Sequence, residues 1–206
     1  MAKHEIIKTR HIKQWLMPLL LLVCACILYL YDNTVVNILQ FDRQQIEQQQ
    51  YWRLASGNLL HTNLWHLLFN LAGLLMLTHL FGRLIGIIHF ISFSIVNFVC
   101  VGALLYLFSP EIIRYVGLSG YLHGLFVLGC LVEIHQGRLS SLLLLAGIAA
   151  KVGWESYHGA SEQMAVLIDA SVATDAHLYG ALAALPWFGA YWLICQFKRK
   201  YSLLSQ

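Results

Sequence analysis

Charge is what this chain has least of. Only 11% of its residues are Asp, Glu, Lys or Arg, against 59% hydrophobic residues, and the mean hydropathy is +0.65. That balance excludes an ordinary soluble domain, in which about a quarter of the residues are charged. No basic tract interleaved with aromatics is present, so nothing in the charge pattern suggests a nucleic-acid partner. The five cysteines, Cys24, Cys26, Cys100, Cys130 and Cys195, fall inside apolar runs and lack both metal-ligand and disulfide-framework spacing, which leaves them as small packing residues. The first apolar run follows Lys3, Lys8, Arg10 and Lys13, but no small-residue cleavage site accompanies it, so a retained first span is expected rather than a signal peptide.

What the chain does have is apolar helix. A bilayer core about 30 Å thick needs roughly 20 apolar residues of helix. Six such runs can be drawn: Trp15 to Tyr31, Leu64 to Leu80, Leu84 to Phe108, the stretch from Gly117 to about Val132, Leu139 to about Glu155, and Ala176 to about Phe197. Ser109-Pro110 ends the third. The longest polar stretches are Asp32 to Leu60, with Tyr51-Trp52-Arg53 suited to the headgroup level, and Ser156 to Thr174. With the N-terminus inside, Lys3, Lys8, Arg10, Lys13, Arg83, Arg138, Lys198, Arg199 and Lys200 fall in the cytoplasm, against Arg43, Arg53 and Arg114 outside. This excess meets the positive-inside rule. The expectation is an all-α membrane protein, a single domain over residues 1–206, with six transmembrane helices and both termini cytoplasmic.

That threading brings three clusters to the outer ends of their helices. Gly117-Leu118-Ser119-Gly120 sets a hydroxyl between glycines at the start of a helical run. It reads either as a nucleophile or as a serine N-cap. His177 is the natural base for Ser119, since a serine needs a proton acceptor and histidine titrates in the right range; the alternative is an interfacial histidine at a helix start beside Asp175. Gly180, Ala181 and Ala184 are small enough for close helix approach. His66 and Asn70, four apart, share a helix face and can donate to an oxyanion, as can the Ser119 backbone N–H. His61 lies at the rim, where it can orient His66 or hold the loop. The spacing of His61 and His66 is not that of a helical zinc site, so no metal is expected. Lys151 and Glu155, four apart, read either as a local ion pair or as a secondary contact with the substrate or the dyad.

Trp52-Arg53, then His61, His66 and Asn70, then Gly117-Leu118-Ser119-Gly120, then Ala176-His177-x-x-Gly180, in this order, resemble the rhomboid intramembrane serine proteases over essentially the whole chain. The resemblance implies a six-helix rhomboid-like bundle and a Ser119 and His177 dyad. It further implies that His66 and Asn70 form the oxyanion hole with His61 in support, and that Trp52 and Arg53 sit in a loop embedded at the outer interface. It requires no third acid, which suits a sequence that offers none obviously well placed, and no cofactor. His123, one turn after the serine, replaces the aromatic residue frequent in rhomboids, and leaves open which histidine is the base.

The form Gly-x-Ser-Gly-x-x-His-Gly, the compact size, and Lys151 to Glu155 look like the rhombosortase branch. That similarity implies a bacterial inner-membrane protease with its active site facing the periplasm. Its partners would be the bilayer and membrane-anchored protein substrates, exported proteins cut near a C-terminal Gly-Gly sequence that precedes an apolar helix and a basic tail. Helix-breaking glycines suit a peptide that must be extended to reach the serine. The competing readings are a general rhomboid protease cutting other transmembrane substrates and a catalytically silent rhomboid-like protein that binds membrane helices. A proton-coupled transporter fits less well, because its polar groups would spread through the membrane instead of crowding one end.

Overall fold

The computed structural model describes residues 2–204. The chain is mostly helical. In order it forms α1 (Ala2–Leu30), α2 (Asp32–Leu39), strand β1 (Phe41–Asp42), α3 (Arg43–Glu47), α4 (Arg53–Ser56), a single 3-10 turn (Gly57–Leu59), α5 (Leu64–Phe81) and α6 (Ile87–Phe108). Strand β2 (Arg114–Tyr115), α7 (Ser119–His135), α8 (Ser141–His158), α9 (Glu162–Ile168) and α10 (Thr174–Leu204) follow. Among the described residues three segments, Leu64–Phe81, Ile87–Phe108 and Thr174–Phe197, are long and apolar enough to cross a membrane. The side chains of Lys3, Lys8, Arg10, Lys13 and Lys198 to Lys200, which weigh in the expected orientation, lie outside the described residues, as do Met1, Ser205 and Gln206.

Helix α7 is the axis of the fold. Its glycines let neighbours close in from two sides, and Gly129 lies against the Phe81 ring of α5. On the α10 side, a Cβ at Gly180 would fall on the Gly120 carbonyl, and one at Gly124 would meet both the Gly180 carbonyl and Asn97 of α6. Small residues in contact are how membrane helices approach without a hydrophobic drive between them. Asn97 Nδ2 donates to that same Gly180 carbonyl at 2.9 Å, tying α6 to α10 behind α7. Tyr121 is fully buried among Phe90, Phe93 and Phe98, with its hydroxyl 2.9 Å from Ser94 Oγ.

The polar stretch 32–60 carries more structure than a loop. Phe41 pairs with Tyr115 and Asp42 with Arg114 in an antiparallel two-stranded ladder. Asp42 then caps α3 by accepting from Gln45 N. Arg43 donates to the carbonyls of Leu105, Tyr106, Ser109 and Ile112 and so satisfies the open end of α6. The stretch 156–174 likewise includes the last turn of α8 and the short α9, whose N-cap is Ser161. At the opposite end of the bundle α8 starts at Ser141 rather than Leu139, because buried Glu133 gathers Arg138 and Ser141 around its carboxylate.

Candidate active site

Ser119 is the first residue of α7, and the turn before it is built to present it. Gly117 has φ +134°, a conformation open to glycine and strained for other residues. A side chain there would also meet the His66 ring, at 2.8 Å from Nε2. Tyr115 Oη donates to the Gly117 carbonyl at 2.6 Å, and Gly117 N donates to the Gly57 carbonyl at 3.1 Å. Burial pushes the Tyr115 hydroxyl well above the ordinary phenol range, so it stays a donor. The sequence did not single out Tyr115, whose only local sign is an aromatic two residues before a glycine.

The close seating of Gly180 on Gly120 has a direct consequence three residues earlier on α10. His177, 5% exposed, brings Nε2 to 3.0 Å from Ser119 Oγ. Its other nitrogen, Nδ1, lies 2.9 Å from Glu155 Oε2. The last turns of α8 therefore place an acid on His177, the contact with the dyad that was one of the two readings of Glu155, where the resemblance by itself requires no third acid. The i, i+4 pair with Lys151, Nζ to Oε2 2.7 Å, does form, but it does not exhaust the carboxylate. That the two helix ends meet cannot be read from the spacing within either.

His123 approaches the serine differently. Its Nδ1 is 2.8 Å from the Ser119 carbonyl and its Nε2 is 3.0 Å from Lys151 Nζ. An ammonium only donates, so Nε2 accepts and the ring proton sits on Nδ1, directed at the carbonyl. The His123 ring stacks on His177 with centroids 4.0 Å apart and planes 13° apart. His123, Glu155 and His177 present ligand atoms within 4.8 Å of one another. However, the stacked rings carry their in-plane lone pairs side by side, and the Lys151 ammonium is bonded to two of the three residues. That arrangement suits a hydrogen-bonded ring better than convergence on one ion.

On the other side of Ser119 stands α5. Asn63 caps it, its side chain accepting from His66 N at 2.9 Å, which sets the first turn and the His66 ring above Gly117. Thr62 directs its backbone N–H at His66 Nδ1 from 3.4 Å, and its Oγ1 is 3.0 Å from the same nitrogen. Thr62, which the sequence did not single out either, is thus the hydrogen-bonding neighbour of His66. His61 touches His66 edge to face at 5.0 Å, and neither of its buried ring nitrogens has a partner among the described residues. One turn below His66, Asn70 is buried and its Nδ2 is likewise without a partner.

Two cavities meet at Ser119. One, about 760 Å³, is lined by His66, Asn70, Ser119, His123, Lys151, Glu155 and His177, with Phe69, Leu122, Trp154 and Met164 supplying apolar wall. The other, about 560 Å³, takes in Thr62, Glu111, Arg114, Tyr115 and Asp175 and is more polar. His66, Ser119, Ile168 and Val172 border both. Trp52 and Arg53 reach neither. Arg53 is 4% exposed and donates to Gln50 Oε1 and to the carbonyls of Gln40 and Asn37, while half-exposed Trp52 donates to the Ile38 carbonyl. They hold α2 against α4.

Fold and site together describe a mostly helical membrane protein with a serine and histidine in contact where its helices α7 and α10 begin. The Rhomboid domain family matches residues 48–194, from the turn before α4 to well inside α10, and the chain belongs to that family. Members are intramembrane serine proteases acting on membrane-embedded protein substrates within the bilayer. Comparison with curated proteins found no match.

Proposed function

We propose that the chain is an active intramembrane serine endopeptidase in which Ser119 is the nucleophile and His177 its base. The observation that carries this reading is the 3.0 Å approach of His177 Nε2 to Ser119 Oγ, at a buried position bordering two cavities. In the reaction His177 takes the hydroxyl proton as Oγ attacks the scissile carbonyl, then returns it to the leaving amine; water resolves the acyl ester by the same route in reverse. The developing oxyanion is met by the Ser119 backbone N–H at the helix start, His66 and Asn70. Support for Asn70 is its buried amide without a partner, since such donors are normally satisfied and a vacant one suits a ligand. Thr62 Oγ1 donates to the Ile168 carbonyl and can accept from His66 Nδ1, while in the tautomer whose Nδ1 receives the Thr62 N–H, His66 donates from Nε2. His61 fills space behind His66.

The substrate of this reading is an exported protein with a C-terminal Gly-Gly sequence, an apolar helix and a basic tail, and the site would act as a rhombosortase. The Gly-x-Ser-Gly-x-x-His-Gly motif supports it. So does the contrast between the two cavities: a peptide crossing Ser119 leads from a polar pocket to an apolar one, as a chain does where its folded domain gives way to its anchor. The setting is a single six-span unit over residues 1–206 in a bacterial inner membrane. The N- and C-termini are cytoplasmic and Ser119 lies toward the periplasm, following the asymmetry of Lys and Arg. Reconstituted wild type should cut such a substrate at the glycines, whereas Ser119→Ala and His177→Ala should each lose at least about 10³-fold in rate. Undiminished cleavage by either variant would overturn the dyad.

A further inference from the structure

We infer that Glu155 is a positioning residue for His177, so that Ser119 works through a line of three side chains and not two. The inference rests on the protease reading above and deepens it. His177 is engaged at both nitrogens, Nε2 toward Ser119 Oγ at 3.0 Å and Nδ1 toward Glu155 Oε2 at 2.9 Å. For Nε2 to receive the hydroxyl proton, the ring proton of the neutral imidazole must sit on Nδ1. A carboxylate only accepts, so Glu155 selects that tautomer. Once the proton arrives, the same carboxylate faces the imidazolium and stabilises it at the buried position of His177.

The carboxylate is itself held. Lys151 Nζ donates to the same Oε2 at 2.7 Å and to His123 Nε2 at 3.0 Å. His123 passes the chain on by donating from Nδ1 to the Ser119 carbonyl at 2.8 Å. The path from Ser119 Oγ through His177, Glu155, Lys151 and His123 thus returns to the backbone of Ser119. It draws on α7, α8 and α10, and His123 stacks on His177 at 4.0 Å. A ring closed in this way fixes the imidazole in both its plane and its tautomer. Lys151 and His123 act alike in it, since each holds a neighbour of the base and neither touches Ser119 Oγ.

The test compares wild type, Glu155→Gln, Glu155→Asp and Ser119→Ala in lipid, reading kcat and KM for a Gly-Gly-tailed membrane substrate, labelling by a serine-directed phosphonate, and thermal unfolding. Gln is nearly isosteric but turns a donor or a weaker acceptor toward Nδ1. Glu155→Gln is expected to lower kcat and the labelling rate by on the order of 10²-fold or more, with KM within about twofold and the same unfolding temperature. Asp should recover part of the loss. A second reading avoids variants: in wild type with ¹⁵N-labelled histidine, His177 should carry its proton on Nδ1 in a low-field resonance. Wild-type rates in Glu155→Gln, or His177 with its proton on Nε2 in wild type, would overturn the role of Glu155 and leave the protease standing. Wild type that neither cleaves nor labels above Ser119→Ala would instead remove the protease reading on which the inference rests.

Discussion

His61 shows what a single buried residue demands. It is 5% exposed, its ring nitrogens lack partners among the described residues, and burial, with His66 beside it, holds its pKa down from 6.5 to about 3. The folded protein therefore keeps His61 neutral, while the unfolded chain takes up a proton below pH 6.5. Its contribution is fully present above that pH and is lost as the pH falls toward 3. At pH 4.5 the penalty is about 2 to 3 kcal/mol. Thermal unfolding at pH 7 and pH 4.5 should show wild type losing more stability than His61→Leu, which has no proton to take. Parallel losses would mean that His61 is solvated or paired in the folded state. At this scale the types of Ser119, His66, Asn70 and His177 suggested in the sequence the roles proposed for them above. Their partners were not readable there, because Tyr115 and Thr62 act through a backbone carbonyl and a ring nitrogen that no spacing encodes.

Between elements, the decisive contact is α7 on α10. Gly180 meets the backbone of Gly120, which cannot move aside as a flexible side chain can. Gly180→Val should push the helices apart, costing about 1 to 3 kcal/mol by overpacking. It should also slow phosphonate labelling of Ser119 at least about tenfold, since near-attack geometry tolerates little displacement. Ala at Gly147, where a Cβ meets nothing within 4 Å, serves as the control and should leave both readings unchanged. A Gly180→Val protein labelled at the wild-type rate would mean that His177 is held by something other than this contact. The sequence pointed to that approach through the small residues at 180, 181 and 184. It offered the meeting of the end of α8 with the start of α10 only as one of two readings of Lys151 and Glu155, because the pair can satisfy itself within one helix. Nor did it reveal α2, α3, α4 or α9, which are too short to carry a periodic apolar face.

For the whole molecule, the arrangement bears on how the proposed hydrolysis could be done in an apolar setting. The polar groups are gathered at one end, where α5, α7 and α10 begin and α8 ends, and the remainder of the bundle is closed by the aromatic cluster around Tyr121. The order of the apolar runs and the four motifs made this end legible beforehand, since helices joined by short turns must return their alternate ends to the same level. The hydrogen-bonded ring around His177 gathers polar groups that lipid does not supply, and the two cavities bordering Ser119 have room for the water that the proposed hydrolysis needs. The central claim is that Ser119 is a nucleophile served by His177. It is tested most directly by locating, through mass spectrometry of peptides, the adduct formed when the protein in its membrane meets a serine-directed phosphonate. The adduct is expected on Ser119 in wild type and should be nearly absent in His177→Ala. An adduct on another residue, none at all, or undiminished labelling of Ser119 without His177 would contradict the claim.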